Sequence, residues 1–311
     1  MSSNCRKKTS IGGQALIEGI MMRGPQKTSM AIRTAEDSID LETWDTYPKG
    51  KPPAYKKWPF VRGIFNMVET LILGFRCLMK SADKAGVEEE QPGKFELWLS
   101  KTLKADINSV VNTFAVVLGI GLALLLFIVI PTAVTTLLRP LIHTQMVFSL
   151  IEGVIKMSLF LLYLALCSKN KDVARTFEYH GAEHKTIACY EANEPLTPEN
   201  CRSKTRFHPR CGTSFLLIVI VISILAASLI PPMPMLLRMV IKLAILPLII
   251  GVAYELIKLA GRYDNLATRI ISAPGLWLQN LTTKEPSDGQ LEVAIAAMKA
   301  VIPEDSKDDL W

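Results

Sequence analysis

Four long apolar stretches dominate this chain, and they constrain what everything else in it can become. The first covers residues 109–138, running from Ser109 through IGLALLLFIVI to Leu138, which exceeds the roughly 20 residues that a bilayer core requires. Val147 to Cys167, Thr213 to Ile230 and Leu236 to Ala260 follow, the third closed by Pro231-Pro232-Met-Pro234. Half of the 311 residues are hydrophobic but only 7% are aromatic. The excess is therefore aliphatic and gathered in runs, whereas a soluble core scatters it. The fold class expected is mainly α: a polytopic α-helical membrane protein with about four transmembrane helices, two within 109–167 and two within 214–260.

The charges orient these spans. The net charge of +6 is mild for the length, and the basic residues flank the apolar runs instead of forming one face. That argues against a nucleic-acid partner and for the lipid bilayer as the main environment. The loop at 168–213 holds Lys169, Lys171, Arg175, Lys185, Arg202, Lys204, Arg206 and Arg210, whereas 139–146 holds only Arg139. By the positive-inside rule the 168–213 loop and both termini face the cytoplasm of a cell membrane. The six cysteines include no C-x-x-C pair and read as reduced thiols. Met1 to Gly12 is polar and basic with no apolar core behind it, so it does not have the pattern of a signal peptide.

The remaining segments are smaller. Residues 1–57 are expected to form a small N-terminal α+β cap: Gly-Gly and Gly-Pro pairs punctuate turns, and Met30 to Thr34 and Ser38 to Trp44 alternate around Ala35-Glu36-Asp37 as a hairpin does. In 58–108, Trp58 to Lys80 is apolar except for Arg62, Glu69 and Arg76, spaced by sevens. This is the stripe of an interfacial or partly inserted helix, and a charged connection follows at 83–96. In 261–311, Leu266 to Leu281 is amphipathic, carries Trp277 and is broken by Pro274-Gly275, as a membrane-surface or re-entrant segment would be. A last helix opens on Ser287-x-x-Gln290, a capping-box pattern, and stops at Pro303. Within the spans, Glu152 and Lys156 are four apart and placed to neutralise one another. Together with Glu255 they are intramembrane polar candidates.

The chemistry concentrates in the 168–213 loop, which holds three of the four histidines. His180 and His184 stand one helical turn apart on one face, the spacing by which a helix chelates a metal with two imidazoles. Glu183 lies beside them, and Glu191 returns to the face two turns on. H-x-x-E-H is the inverted form of the zinc-protease helix motif, in which the histidines hold the ion and the glutamate activates water. His208-x-x-Cys211 is a second short chelate, and a His3Cys set suits a divalent metal, zinc above all. Four protein ligands close a zinc ion as a structural site. With Cys211 or one histidine outside, a position opens and Glu183 becomes a catalytic base. Arg206 and Arg210 are candidate forks for an anionic group, set against a plain topological role. Glu18, in Ile17-Glu18-Gly19, is either a turn carboxylate or a further group folded over the metal.

Six blocks carry a resemblance: GGQALIEGIMMRGP at 12–25, KWPFVRG at 57–63, YHGAEHKTI at 179–187, LTPEN at 196–200, HPRCGTSF at 208–215 and LTTKEPSDGQLEVAIAA at 281–297. Together they are similar to the YqhQ family of bacterial membrane proteins, usually described as predicted metal-dependent enzymes. The resemblance implies a membrane location and a metal site at His180, Glu183, His184, His208 and Cys211, but no particular substrate. The expectation is a membrane-embedded, zinc-type hydrolase acting at the cytoplasmic face on a lipid-linked, phosphorylated or peptide substrate. The competing expectations are a non-enzymatic scaffold or assembly factor with a structural zinc, and a transporter with Glu152, Lys156 and Glu255 on its path.

Overall fold

The glycine-rich start of the chain folds as a sheet. Four antiparallel strands, β1 (Gly12–Leu16), β2 (Gly19–Arg23), β3 (Lys27–Arg33) and β4 (Ile39–Asp45), form a meander in the order β1-β2-β3-β4. A computed structural model describes residues 8–47, 50–86, 94–103, 107–142, 144–231, 233–263, 265–305 and 308–309. The expectations for the first seven residues, and for the middle of the 83–96 connection, lie outside the described residues. The β3–β4 hairpin forms where alternation places it. β2 lacks that signal because it is covered on both faces: Gly19 to Met22 are all buried, and a strand buried on two sides does not alternate.

The helices in chain order are α1 (Val61–Lys84), α2 (Lys94–Leu103), α3 (Ile107–Leu124), α4 (Ile130–Leu137), α5 (Gln145–Cys167), α6 (Lys171–Glu191), α7 (Pro198–Arg202), α8 (Gly212–Ser228), α9 (Met235–Arg262), α10 (Leu266–Thr282) and α11 (Asp288–Lys299), with a π-helical turn at Leu125–Val129 between α3 and α4. The chain divides into two compact, interleaved units: Met1–Val87, Tyr163–Ile222 and Pro247–Trp311 form the first, Glu88–Leu162 and Ser223–Leu246 the second.

In the first unit the sheet is sandwiched. Ile20, Met22 and Ala31 pack with Tyr179, Ala182 and Ile187 of α6 and with Leu291, Ala294 and Met298 of α11. Leu16, Met21, Met30 and Ile32 pack on the opposite face with Cys77 of α1. The ionic stripe of α1 turns toward protein: Arg62 pairs with Glu255, and Glu69 receives Arg23, Lys56 and the Tyr55 hydroxyl. Phe65, Val68, Leu71, Ile72 and Phe75 remain exposed.

Among the described residues three helices are long and apolar enough to cross a membrane, Val110–Leu137, Gln145–Cys167 and Met235–Arg262. The expected fourth, α8, is a shorter apolar helix that ends at Ser228 before the proline cluster. Its 17 residues stand at the lower limit of the roughly 17–25 that a spanning helix uses. α10 also departs from expectation, since it continues through Pro274. The proline forfeits one hydrogen bond to the preceding turn, but Gly275 lets that turn lie directly on Ser214, and this close packing keeps the helix whole. α11 starts on the expected cap, with the Ser287 and Gln290 side chains closing a reciprocal box.

In the second unit, Glu152 does not take Lys156 as its partner. It is held by Arg238 and Lys242 of α9 and by the Thr132 hydroxyl, while Lys156 donates to Ser223. Buried carboxylates take the partners that packing brings closest, and here α9 outcompetes the local turn.

Gly181 ties α6 to the segment before α11. A Cβ there would land on the backbone carbonyl of Lys284. Gly181→Ala is expected to lower stability by about 1–3 kcal/mol, read as a drop in the thermal unfolding midpoint of the detergent-purified protein.

Candidate metal centre

The centre is built on α6. The Asn170 side chain caps this helix by accepting from the backbone N–H groups of Asp172 and Val173. The sheet and α11 then cover its apolar residues, which carries Glu183, His184, Lys185 and Thr186 into the interior. His180 lies one turn earlier at the edge of the same face.

Two backbone carbonyls fix the imidazoles. His180 Nδ1 donates to the Thr282 carbonyl (2.8 Å), and His184 Nδ1 donates to the Arg206 carbonyl (2.6 Å). A carbonyl only accepts, so both protons sit on Nδ1 and both Nε2 atoms are directed away from these anchors. This is the outer-shell arrangement that orients metal-binding histidines. The rings meet edge to face with centroids 4.4 Å apart. Cys211, at the start of α8, brings Sγ to 3.2 Å from His180 Nε2. Donor atoms of His180, His184 and Cys211 all lie within 4.8 Å of one another.

The electrostatics match an ion-sized gap. Burial pushes the Cys211 thiol up, but the His180 and His184 imidazoles overcome it and hold the group well below the usual thiol range. His180 moves the other way, to about 9, because the Cys211 sulfur and then Glu183 outweigh its burial. Burial keeps Glu183 raised, against the pull of both imidazoles, and its Oε1 accepts the Gly13 N–H of β1 at 3.0 Å. A side chain at Gly13 would crowd both Glu183 and the Met21 carbonyl, so the glycine permits this approach. A cavity of about 110 Å³ opens over the group, between Gly12-Gly13 and the His180, Glu183 and Cys211 side chains.

His208 stands apart from the three donors. Its ring is 5.5 Å from that of His184, but Nε2 lies 3.3 Å from Arg210 and 3.9 Å from Glu191. Burial lowers its pKa. Gln279 of α10 clamps its backbone, accepting from the N–H (2.8 Å) and donating to the carbonyl (2.7 Å). Glu191 pairs with Arg210 and accepts from the Thr9 N–H, and Arg210 also donates to the Thr9 carbonyl. Arg206 is engaged by Thr283 and Glu285. Glu18, at a left-handed φ of 50°, pairs with Arg175 and accepts from the Tyr179 hydroxyl at 3.1 Å; it belongs to the sheet-to-α6 contact, not to the donor cluster. Glu255 is held by Arg62 and the Phe60 N–H. Cys189 and Cys201 are fully buried in the core, where burial pushes Cys201 up to about 12.

Reading the sequence residue by residue missed Gly13, Gln279 and the two anchoring carbonyls. A carbonyl has no sequence signature, and Gly12-Gly13 reads as a turn.

Fold and site together define a largely helical protein with a small N-terminal sheet, three helices able to span a bilayer and a buried His2Cys cluster beside a glutamate. Residues 58–304 match the family described as Protein of unknown function (DUF1385), and the chain belongs to that family. It is 35% identical over 294 residues to the Uncharacterized protein YqhQ of Bacillus subtilis (strain 168), covering 94% of this chain and 92% of that protein. No solved structure matches it.

Gln279→Leu removes both partners of the His208 backbone at once. It is expected to cost about 1–3 kcal/mol and to make the 203–211 loop newly sensitive to limited proteolysis.

Proposed function

We propose that this chain is a multi-pass membrane protein whose 168–213 region faces the cytoplasm and forms a mononuclear, zinc-type hydrolytic centre. His180, His184 and Cys211 are the ligands and Glu183 is the general acid–base group. The observation that carries the reading is the convergence of donor atoms of His180, His184 and Cys211 within 4.8 Å, next to the buried Glu183 carboxyl.

The donor set fits the ion. Zn–N bonds of about 2.0–2.1 Å and a Zn–S bond of about 2.3 Å at tetrahedral angles separate N and S by about 3.5 Å, and His180 Nε2 and Cys211 Sγ are 3.2 Å apart. Three protein ligands leave a fourth position, the mark of a catalytic site. A zinc ion held there supplies Lewis acidity and lowers the pKa of water to near neutrality.

The chain's own groups supply the rest. The Gly13 N–H holds one Glu183 oxygen, leaving the other to take up and return a proton. Burial raises the Glu183 pKa toward the range where such transfer is efficient. His208, with its pKa lowered, stands beside Glu191 and Arg210 and stiffens the wall. Arg206 and Arg210 are committed to protein partners, so the oxyanion-fork role passes to no residue identified here. The chemistry supported is addition of water to a carbonyl or similarly activated carbon.

Membrane insertion is supported by the three spanning-length helices and by exposed aliphatic side chains along them, including Val117, Leu118, Val154 and Leu236. The protein is expected to stay in the membrane fraction after alkaline carbonate extraction.

Elemental analysis of detergent-purified protein tests the centre. About one zinc per chain is expected, falling below about a tenth of that in His180→Ala/His184→Ala. A zinc content equal in both proteins would remove the site. Glu183→Gln then separates catalysis from scaffolding: it should keep the metal and lose turnover by about 100-fold or more, followed as product formation from a cell extract by mass spectrometry. Equal turnover in that variant would remove Glu183 from any part in activating water.

A further inference from the structure

The apolar part of the second unit holds more positive charge than its one carboxylate neutralises. Across residues 107–162 and 223–246 the sequence places Arg139, Lys156, Arg238 and Lys242 against Glu152 alone. These groups form a ladder. Phe148, Glu152 and Lys156 stand on successive turns of α5, facing Arg238 and Lys242 on successive turns of α9. Arg238 Nη2 is 3.1 Å from Glu152 Oε2, and Lys242 reaches both Glu152 and the Thr132 hydroxyl, the latter at 2.9 Å. The guanidinium carbons of Arg238 and Arg139 lie 4.3 and 4.8 Å from the Phe148 ring centre.

Charge balance fails at Arg238. The residue is 3% exposed and its Nε, fully buried, has no hydrogen-bond partner among the described residues. A guanidinium does not shed its proton to escape burial, and a buried donor left unmade is costly. Glu152 cannot satisfy it, being already shared with Lys242. An anion with several acceptor oxygens would fill the missing position.

Position along the helix narrows the ligand. At 1.5 Å per residue, Arg238 lies about 5 Å and Lys242 about 10 Å from the start of α9. Across a 28-residue helix, about 42 Å long, that depth is the boundary between headgroups and hydrocarbon, where lipid phosphates sit. Guanidinium and ammonium groups together are the usual recognition set for phosphate.

We infer that Arg238 and Lys242 form a site for a phosphate group, supplied by a phospholipid headgroup or by free phosphate, with Glu152 as an internal competitor for the cations. The inference rests on the membrane reading above and is independent of the metal. Failure of the membrane reading would appear in carbonate extraction, not in the experiment that follows.

The test uses full-length, delipidated protein in a neutral detergent, with the unfolding midpoint followed against inorganic phosphate or short-chain phosphatidylglycerol, and sodium chloride of matched ionic strength as control. At least one probe should raise the midpoint by several degrees beyond chloride. A response to phosphate assigns a soluble ligand, and a response to the lipid alone assigns a headgroup. Arg238→Gln should abolish the response. Lys242→Met should weaken it if Arg238→Gln does not fold. Glu152→Gln should act in the opposite sense, reaching half-effect at about a tenfold lower concentration because the competitor is gone. No response to either probe in both wild type and Glu152→Gln would overturn the site, as would a response unchanged in Arg238→Gln and Lys242→Met.

Discussion

Four consecutive polar side chains on α6, Glu183 to Thr186, are buried, and much of the first unit is arranged to make that possible. Burying such groups is costly unless each finds a partner. Glu183 takes the Gly13 N–H, His184 the Arg206 carbonyl, and Lys185 the Arg202 carbonyl together with Glu285. The partners come from the first strand, from the loop before α8 and from the segment before α11. A helix that carried only apolar residues here would pack without recruiting those elements. The polar stretch on α6 therefore specifies the surrounding fold as well as the chemistry.

The sequence was most readable where a single element carried the signal. The apolar runs marked α3 to α5 and α9, the reciprocal cap marked α11, and alternation marked the β3–β4 hairpin. The H-x-x-E-H spacing pointed to His180, Glu183 and His184, and the short spacing to His208 pointed to Cys211. What could not be read depended on distant partners. His208 and Cys211 are only three apart, yet the backbone clamp of Gln279 and the pull of Glu191 and Arg210 turn His208 aside while Cys211 faces the other histidines. Glu152 has a suitable partner one turn away in sequence and takes two from another helix instead. The second strand was hidden for a different reason: burial on both faces erases the alternation by which strands are recognised.

Glu18 and Gly13 show how much the first strand contributes without supplying a ligand. The strand leaves Gly13 against Glu183 and ends in a turn that places Glu18 on Arg175 and Tyr179, well along α6. α6 thus presents the histidines on one face and takes the end of the first strand on another. Side-chain volume at residue 13 and backbone conformation at residue 18 are both bound up with where α6 sits.

The Thr9 hydroxyl donates to Asp309, which also accepts from the Tyr190 hydroxyl at the end of α6, so residues 300 positions apart meet beside the helix that carries the histidines. This has a consequence for biosynthesis. The carbonyl that orients His180 and the amide that clamps His208 belong to Thr282 and Gln279, which are translated long after α6. At about 5–20 residues per second, the interval between His184 and Thr282 lasts about 5–20 s, and α8 and α9 are made during it. The histidines and Cys211 therefore emerge as an unassembled, thiol-bearing loop. The oriented donor set is complete only once Gln279 and Thr282 have been made and have docked.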